Sequence, residues 1–306
     1  MALTLHVAGI HDETDRIRLF ELAGDVPAHS AGAHIDVALA AGSRSYSLID
    51  WPGQAGWRIA VQREDAGDGG STAMHALALG DTLSAEGPKN DFPLADHDGP
   101  ALLLAGGIGV TPLISHATAL QAAGRPFSFH YTTRSRAVAA FIDPLQAAFG
   151  AALSLHHDDE TPLDLPALMA AQPADTHLYL CGPRGMIEAA RTAFAAAGLP
   201  ESQLHIELFE TAQPQEGDQP FEVEIANTGD VFTIPPGKTI IEVLEEAGHD
   251  LIYDCQRGDC GICQTDVIAG EPDHRDVVLS EAERASGKLI QICVSRAKSA
   301  RLVLDL

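Results

Sequence analysis

The chain has 306 residues, more than one ordinary domain holds, and we expect three domains. Its composition, 45% hydrophobic and 20% charged, is typical of soluble globular domains rather than of disordered chains. The formal net charge of −24 repels phosphate, so nucleic acids and anionic membranes are excluded as partners. The first residues do not form a signal-peptide pattern, and no apolar run reaches the ~18 residues of a membrane helix. We therefore expect a cytoplasmic protein.

The first part of the chain, residues 1–98, predicts a small antiparallel β-barrel. Short β-rich runs at Ile35–Leu39, Tyr46–Ile49 and Trp57–Gln62 are separated by Gly, Pro and Asp, which favour turns. Alternation along such strands places one set of side chains in the barrel core and the other set in solvent.

Two segments of this barrel have the chemistry of a flavin site. Arg44 and Tyr46 share one face of an extended strand, where a guanidinium binds phosphate and an aromatic ring stacks on a flat one. Ser45 and Ser47 belong to the same strand, and Ser47 can reach a ring nitrogen. The second segment has the glycines and hydroxyls that suit a phosphate before a helix: Gly69, Gly70, Ser71 and Thr72. Each segment alone also fits an ordinary strand or turn, but together they indicate FMN.

Residues 99–210 predict an α/β domain with a parallel sheet. The strand Ala101–Ala105 is followed by a Gly-rich turn and a helix at Leu113–Ala123, and the strand Phe127–Tyr131 then completes a βαβ unit. A further strand at His177–Leu180 leads into a helix at Met186–Ala197. Ligands of such sheets bind at the carboxyl ends of the strands.

The turns after these strands are candidates for the nicotinamide nucleotide. A Gly-rich turn that opens a helix can hold pyrophosphate, although this turn lacks the G-x-G-x-x-G pattern and also fits an ordinary tight turn. A second strand-end turn supports the interpretation. The candidate residues of the first turn are Gly106, Gly107, Gly109, Thr111 and Pro112, and those of the second are Cys181, Gly182, Pro183 and Met186.

Residues 211–220 have the composition of a linker, with two prolines and almost no apolar side chain. The remaining residues, 221–306, predict an α+β domain. Its strands are expected at Phe221–Ile225 and Val231–Ile234, and a short amphipathic helix at Ile240–Ala247.

Four of the five cysteines lie in this last domain, at Cys255, Cys260, Cys263 and Cys293. Their spacing, C-x4-C-x2-C with a distant fourth cysteine, is that of a plant-ferredoxin 2Fe-2S cluster. Gly258 and Gly261 lack Cβ atoms, so backbone N–H groups can approach the sulfurs. A structural zinc site is the main alternative, but zinc ribbons favour two C-x2-C pairs and only one is present. A disulfide pair does not suit a cytoplasmic chain.

In this order, the three sets of motifs resemble the phthalate dioxygenase reductase family, with vanillate demethylase reductases in the same group. The resemblance covers essentially the whole chain. Beyond the residues named above it rests on Gly87–Pro93 and on His274–Asp276. It implies a multidomain fold with an FMN barrel, an α/β nicotinamide domain and a C-terminal ferredoxin of the plant-type β-grasp class.

The resemblance also implies a function. Electrons pass from NADH through FMN and the 2Fe-2S cluster to the Rieske-type oxygenase component of an aromatic hydroxylase or demethylase, and the reductase is expected to be a monomer. No side chain is needed as an acid or base, so Ser47, Thr111 and Cys181 are positioning residues. Cys181 also fits simple packing. Phe209 could contact the flavin, although a core position at a strand end is the more ordinary interpretation.

Several alternatives stay open from the sequence. Arg134 and Arg136 could bind the 2′-phosphate of NADPH, so NADPH is not excluded. Tyr253 and Asp254 stand where a small residue such as Ser is expected, which could change hydrogen bonding to the cluster. The acceptor could be a quaternary-amine oxygenase or a soluble cytochrome, and a non-catalytic redox sensor is a further possibility. The run His156–Asp159 is interpreted as a solvated loop rather than a metal site.

Overall fold

A computed structural model describes residues 2–54, 56–209 and 215–306. The chain divides into two compact units, unit 1 (residues 1–207) and unit 2 (residues 208–306). Part of the predicted linker, residues 211–214, lies outside the described residues, as does residue 210. Over the part of the chain that is described, no helix is long and apolar enough to cross a membrane.

Unit 1 begins with an antiparallel sheet whose strands run in the order β4-β3-β6-β1-β2-β5. The elements are β1 (Ala2–Asp12), β2 (Ile17–Ala23), β3 (His34–Leu39), β4 (Gly42–Ser47), β5 (Trp57–Gln62), α1 (Gly70–His75) and β6 (Thr82–Lys89). Alternate residues of β1 are buried, as a strand with one face on the core requires. Just after β4, the N–H of Ile49 donates to the carbonyl of Arg58 in β5 at 2.8 Å. This bond joins the two edges of the sheet, as closure of a barrel requires.

The same bond explains why the bounds predicted for the strand Tyr46–Ile49 were wrong. The strand ends at Ser47 because the N–H of Leu48 donates to Ala33 whereas that of Ile49 donates to Arg58. The chain therefore changes partner strands between these two residues and turns a corner of the barrel. By contrast, β5 has the predicted bounds.

The second sheet of unit 1 is parallel, in the order β11-β10-β7-β8-β9. Its elements are β7 (Ala101–Gly106), α2 (Val110–Ala122), β8 (Phe127–Thr133), α3 (Ile142–Phe149), β9 (Leu153–His157), α4 (Leu165–Ala170), β10 (His177–Cys181), α5 (Arg184–Ala196) and β11 (Leu204–Glu207). Every residue of β7 is buried, as expected for a central parallel strand. Because the chain order reverses between β7 and β10, the carboxyl ends of these two strands border the crevice where ligands bind in such folds.

The barrel and the parallel sheet share one core in unit 1. Ile49 and Trp51 of the barrel pack with Leu103 and Leu113 of the α/β part. On α2, the hydroxyl of Ser115 donates to the carbonyl of Leu48 at 2.7 Å. The flavin-type strand is therefore anchored directly to the helix that follows the Gly-rich turn.

Unit 2 contains a mixed sheet in the order β13-β12-β18-β14-β16, in which β12 and β18 are parallel and the other neighbours antiparallel. Its elements are β12 (Phe221–Ile225), β13 (Val231–Ile234), α6 (Ile240–Glu246), β14 (Gln264–Ala269), β15 (Pro272–Asp273), α7 (Glu281–Ser286), β16 (Leu289–Gln291), β17 (Arg296–Ala297) and β18 (Arg301–Leu304). Helix α6 begins with a capping box between Thr239 and Glu242 and buries Ile240, Ile241 and Leu244. A helix packed across such a sheet is the β-grasp arrangement, and the predicted bounds of β12 and β13 are confirmed.

Candidate functional site

The four cysteines of unit 2 meet at one end of the sheet. Cys255 and Cys260 lie in the loop between α6 and β14, Cys263 ends that loop, and Cys293 follows β16. Hydrogen bonds from the Cys260 and Cys293 thiols lower the pKa of Cys255, and the Cys293 thiol lowers the pKa of Cys263. The thiols are thus in mutual contact while none is oxidised to a disulfide. Four converging thiols are the donor set that an iron–sulfur cluster needs, so these residues fit it.

The cysteine loop is held in a conformation that few residues tolerate. Gly258 has φ +86, and a Cβ there would lie 2.7 Å from Val294 Cγ2 and 3.0 Å from Asp276 Cα. Gln256 also has a positive φ of 53. The N–H of Arg257 donates to the sulfur of Cys255 at 3.3 Å, which is the kind of bond that stabilises a thiolate.

The segment that contains the His274–Asp276 motif contacts the cysteine loop. The N–H of Val277 donates to the carbonyl of Gly258 at 2.9 Å. Asp276 is buried and accepts from the N–H of Leu279 at 2.8 Å, while Arg275 bonds to Asp218 and Asp273. Asp218 belongs to the predicted linker, and its guanidinium partner Arg275 lowers its pKa to about 2.

Asp259 is a residue that sequence reasoning missed. Its carboxylate accepts from the N–H of Leu208 at 2.7 Å and lies 3.5 Å from Arg257. Burial raises the pKa of Asp259 to about 7. No sequence pattern indicates this bond, because its partners are 51 residues apart. It fixes the first residue of unit 2 to the cysteine loop.

Tyr253 and Phe209 were both considered in the sequence analysis, and the structure shows their surroundings. The hydroxyl of Tyr253 donates to Glu245 at 2.8 Å, so it is engaged by α6 rather than by a cysteine. Phe209 is 39% exposed, so its interpretation as a core residue was wrong. It follows the end of β11 and has no place in the buried clusters described for either unit.

In unit 1, the two predicted nucleotide turns are pressed together at the carboxyl ends of β7 and β10. A Cβ on Gly182 would lie 2.9 Å from Gly106 Cα, and a Cβ on Gly106 would lie 2.7 Å from both Met186 Sδ and Pro183 Cδ. A Cβ on Gly109 would lie 2.5 Å from the carbonyl carbon of Cys181. These glycines are therefore needed for the close approach of the two backbones.

The other residues of these turns are mostly structural in their contacts. Thr111 is buried and its hydroxyl donates to the carbonyl of Ile108 at 3.1 Å, so it closes its own turn. Pro112 and Cys181 are also buried, whereas Gly107 has φ +55 and open space around it. Arg134 and Arg136 are exposed just beyond the end of β8.

The flavin-type residues of the barrel form a second cradle. A Cβ on Gly70 would lie 3.0 Å from Arg44 Nε, so the guanidinium lies directly over the glycine at the start of α1. Arg44 is also 3.4 Å from Asp68. Tyr46 is half-buried, and burial raises its pKa to about 12, so the phenol is neutral at pH 7. The hydroxyl of Ser47 is buried and has no hydrogen-bond partner in the described part of the chain. A buried hydroxyl without a described partner, on the same strand as a guanidinium that lies against a glycine backbone, fits a phosphorylated flat ligand.

The hydroxyls of this segment divide into two groups. Ser45 donates to Asp36 at 2.5 Å on the exposed side of the strand, and Ser71 accepts from the N–H of Glu64 at 2.9 Å. Thr72 is exposed and Gly69 has φ +86. The structure thus brings Arg44 against Gly70, leaves the buried hydroxyl of Ser47 on the same strand without a partner among the described residues, and turns Ser45 and Ser71 toward protein partners.

The interpretation of the run at 156–159 as a solvated loop was wrong for His156 and His157 but holds for Asp158 and Asp159, which follow the strand in an exposed turn. His156 and His157 belong to β9 because this strand pairs in parallel with β8. His156 Nε2 lies 3.0 Å from His130 Nδ1, and buried His157 lies 2.8 Å from Thr133. Among the described residues, no group of three or more His, Cys, Asp or Glu side chains has the geometry of a single metal-ion site.

Comparisons with known proteins agree with this arrangement. Residues 223–298 match the family model of the 2Fe-2S iron–sulfur cluster binding domain. The chain is 40% identical to the phenoxybenzoate dioxygenase subunit beta of Ectopseudomonas oleovorans over 313 residues, 99% of this chain and 97% of the relative. It is 41% identical to a vanillate O-demethylase oxidoreductase of Pseudomonas sp. strain HR199 over 291 residues, 92% of each chain.

Among solved structures, phthalate dioxygenase reductase, described as a modular structure for electron transfer from pyridine nucleotides to [2Fe-2S], matches with a TM-score of 0.72. The two are 35% identical, and the match covers 100% of this chain and 98% of that one. The fold and the sites together define an NADH-dependent flavin and iron–sulfur oxidoreductase. The chain belongs to the phthalate dioxygenase reductase family.

Proposed function

We propose that this protein is the reductase component of a two-component oxygenase system. Its electron acceptor is a Rieske-type oxygenase that hydroxylates or demethylates aromatic compounds. The observation that carries the proposal is the convergence of four thiols in the same chain as the two cradles of unit 1. When bound, FMN takes a hydride from NADH and releases electrons singly, which a 2Fe-2S cluster carries onward. The names of the relatives, a dioxygenase subunit and a demethylase oxidoreductase, support this acceptor class.

In the barrel, Arg44 binds the flavin phosphate because its guanidinium lies over the backbone of Gly70. Ser47 offers its buried, unpartnered hydroxyl to the ring system, and Tyr46 packs against the ring. Ser45, Gly69, Ser71 and Thr72 complete the proposed cofactor segments through the backbone, since the Ser45 and Ser71 hydroxyls already have protein partners.

At the crevice of the parallel sheet, the two glycine turns orient the nicotinamide nucleotide. Their backbones can approach it because the glycines present no side chain. Thr111 and Cys181 hold the two turns in place from the buried side. The proposed nucleotide residues are Gly106, Gly107, Gly109, Thr111, Pro112, Cys181, Gly182, Pro183 and Met186.

In unit 2, Cys255, Cys260, Cys263 and Cys293 are the proposed cluster ligands. The N–H of Arg257 stabilises the thiolate of Cys255, and the His274–Asp276 motif holds the loop around it. No side chain is assigned as an acid or base. The protein contributes orientation of the cofactors and stabilisation of the thiolates.

We further propose that the protein is a monomer. We also propose that it is cytoplasmic, because that compartment keeps cysteines reduced. The proposed domain limits are 1–98 for the flavin barrel, 99–210 for the nicotinamide domain, 211–220 for the linker and 221–306 for the ferredoxin domain. The bonds of Asp218 to Arg275 mean that the end of this linker is held by the ferredoxin domain.

The acceptor class is tested with a purified oxygenase component that carries a Rieske cluster. With NADH in excess and a catalytic amount of this reductase, the visible spectrum of the Rieske cluster should bleach under anaerobic conditions. Omitting the reductase is the control. Reduction of a soluble cytochrome without any bleaching of the Rieske cluster would contradict the proposed acceptor and favour a different one.

A further inference from the structure

A groove of about 470 Å³ opens on unit 2 beside the cysteine loop. Ile252, Ile262 and Cys263 are among the residues that line it. Asp305 and Leu306 also line it. This feature is called the Ile252 groove below. It is the place where a proposed cluster ligand, Cys263, borders a concave surface large enough for a protein side chain.

The groove carries large aliphatic side chains that folding has left in solvent. Ile252 is 81% exposed and Ile262 is 46% exposed. Their positions in the sequence are also informative, because Ile252 lies three residues before Cys255 and Ile262 lies between Cys260 and Cys263. Exposed apolar side chains that cluster beside a functional group mark an interaction surface more often than scattered ones do.

The charge around the groove indicates what kind of partner fits. Asp250 and Asp305 line it and are exposed, and none of its lining residues, all of which are described, is Lys or Arg. Residues 208–306 as a whole contain nineteen acidic and eight basic residues. An apolar floor with an acidic rim is complementary to an apolar side chain flanked by cations.

We propose that the Ile252 groove is the docking surface for the electron-acceptor protein, which inserts an apolar side chain flanked by Lys or Arg. The inference rests on the proposed function, since an acceptor must approach the cluster that the four cysteines bind. Docking here brings the acceptor to a surface that is lined by Cys263, one of the proposed cluster ligands. Ile252 and Ile262 supply the apolar contact, and the acidic rim selects basic partners.

The test uses horse-heart cytochrome c, a basic haem protein, as the probe, and the oxidised holoprotein with its flavin and cluster intact. Surface plasmon resonance at low ionic strength gives the dissociation constant. Ile252→Lys removes the apolar contact and adds a repelling charge, and it should weaken binding roughly tenfold. Ile252→Ser, which adds no charge, should weaken it by about threefold. Ile268→Lys is the matched control: Ile268 is 61% exposed in β14 and does not line the groove, so this change should alter binding less than about twofold.

If Ile252→Lys and Ile268→Lys weaken cytochrome c binding equally, only the overall charge of the protein matters. That result would overturn the proposal that the groove is the docking surface. Unchanged binding in both Ile252 variants would overturn it as well. Anaerobic bleaching of the cluster by NADH is recorded separately for each protein without cytochrome c. Failure of the wild-type cluster to bleach would refute the proposed function, whereas bleaching with an unchanged dissociation constant in Ile252→Lys would refute only the docking surface.

Discussion

Replacing Gly109 by alanine tests the close contact between the two nucleotide turns. The added Cβ would lie 2.5 Å from the carbonyl carbon of Cys181 and 2.8 Å from the nitrogen of Gly182. Carbon atoms in ordinary contact are about 3.5 Å apart, so the turns must separate by about 1 Å. The atoms in the way belong to the backbone and cannot rotate aside as the end of a side chain can.

The cost follows from this geometry. Overpacking a closely packed site by one methyl group destabilises a protein by about 2 kcal/mol, which lowers the melting temperature of a unit of this size by about 4 to 8 °C. A displacement of about 1 Å at the nicotinamide cradle should slow hydride transfer roughly a hundredfold. Melting is followed by circular dichroism, and flavin reduction by anaerobic stopped-flow absorbance with NADH.

Gly185→Ala is the control for this experiment. Gly185 lies in the first turn of α5, between Pro183 and Met186, and no described atom outside its chain neighbours and its own helix backbone lies within 4 Å of a Cβ built there. Alanine should stabilise the helix by about 0.5 kcal/mol and leave flavin reduction unchanged. A Gly109→Ala protein with wild-type melting and wild-type flavin reduction would refute the role assigned to the contact between the turns.

Three further predictions concern the flavin cradle, acid stability and the ferredoxin unit. Arg44→Ala should weaken FMN binding by about 2 kcal/mol, roughly thirtyfold, as measured by release of fluorescent flavin on dilution; wild-type retention would contradict the phosphate role of Arg44. Burial lowers the pKa of His116 to about 4 in the folded protein. As the pH falls below about 6.5, His116 therefore becomes protonated in the unfolded chain while it stays neutral in the folded one. The free energy of unfolding should therefore drop by about 2 kcal/mol from this residue between pH 7.5 and pH 5, and a His116→Gln protein measured by urea titration should lack that drop. Arg275→Ala leaves the buried carboxylate of Asp218 without its main partner and should destabilise unit 2 by about 3 kcal/mol in the same assay; a loss below about 1 kcal/mol would argue against a structural role for the pair.

Local patterns in the sequence predicted which residues come together where those residues are neighbours in the chain. Cys255, Cys260 and Cys263 all lie in one loop, and the Gly-rich turn directly follows the strand β7. In both cases the residues that act together are also close in the sequence, so their pattern can be seen without the fold.

Contacts between distant residues could not be predicted in this way. The bond between Leu208 and Asp259 joins residues 51 apart, and that between Asp218 and Arg275 joins residues 57 apart. No periodicity marks either pair. The bounds predicted for the strand Tyr46–Ile49 were wrong for a related reason, because the end of the strand is decided by a change of partner strands.

Exposure was a second quantity that the sequence did not reveal. Phe209 is apolar and follows a strand, yet it is exposed, whereas His157 is polar and buried. His157 is covered because β8 pairs with β9 and provides the hydroxyl of Thr133.

The central claim is that electrons from NADH reach the cysteine cluster through the flavin of the same chain. The most direct measurement is an anaerobic visible-spectrum titration of the purified protein with NADH, with iron, sulfide and released flavin determined in parallel. We expect the flavin and cluster absorbance to bleach together, with one FMN and two irons per chain, which follows from one flavin cradle and four thiol ligands. A colourless protein that contains zinc, or a cluster that stays oxidised when NADH has reduced the flavin, would contradict the account.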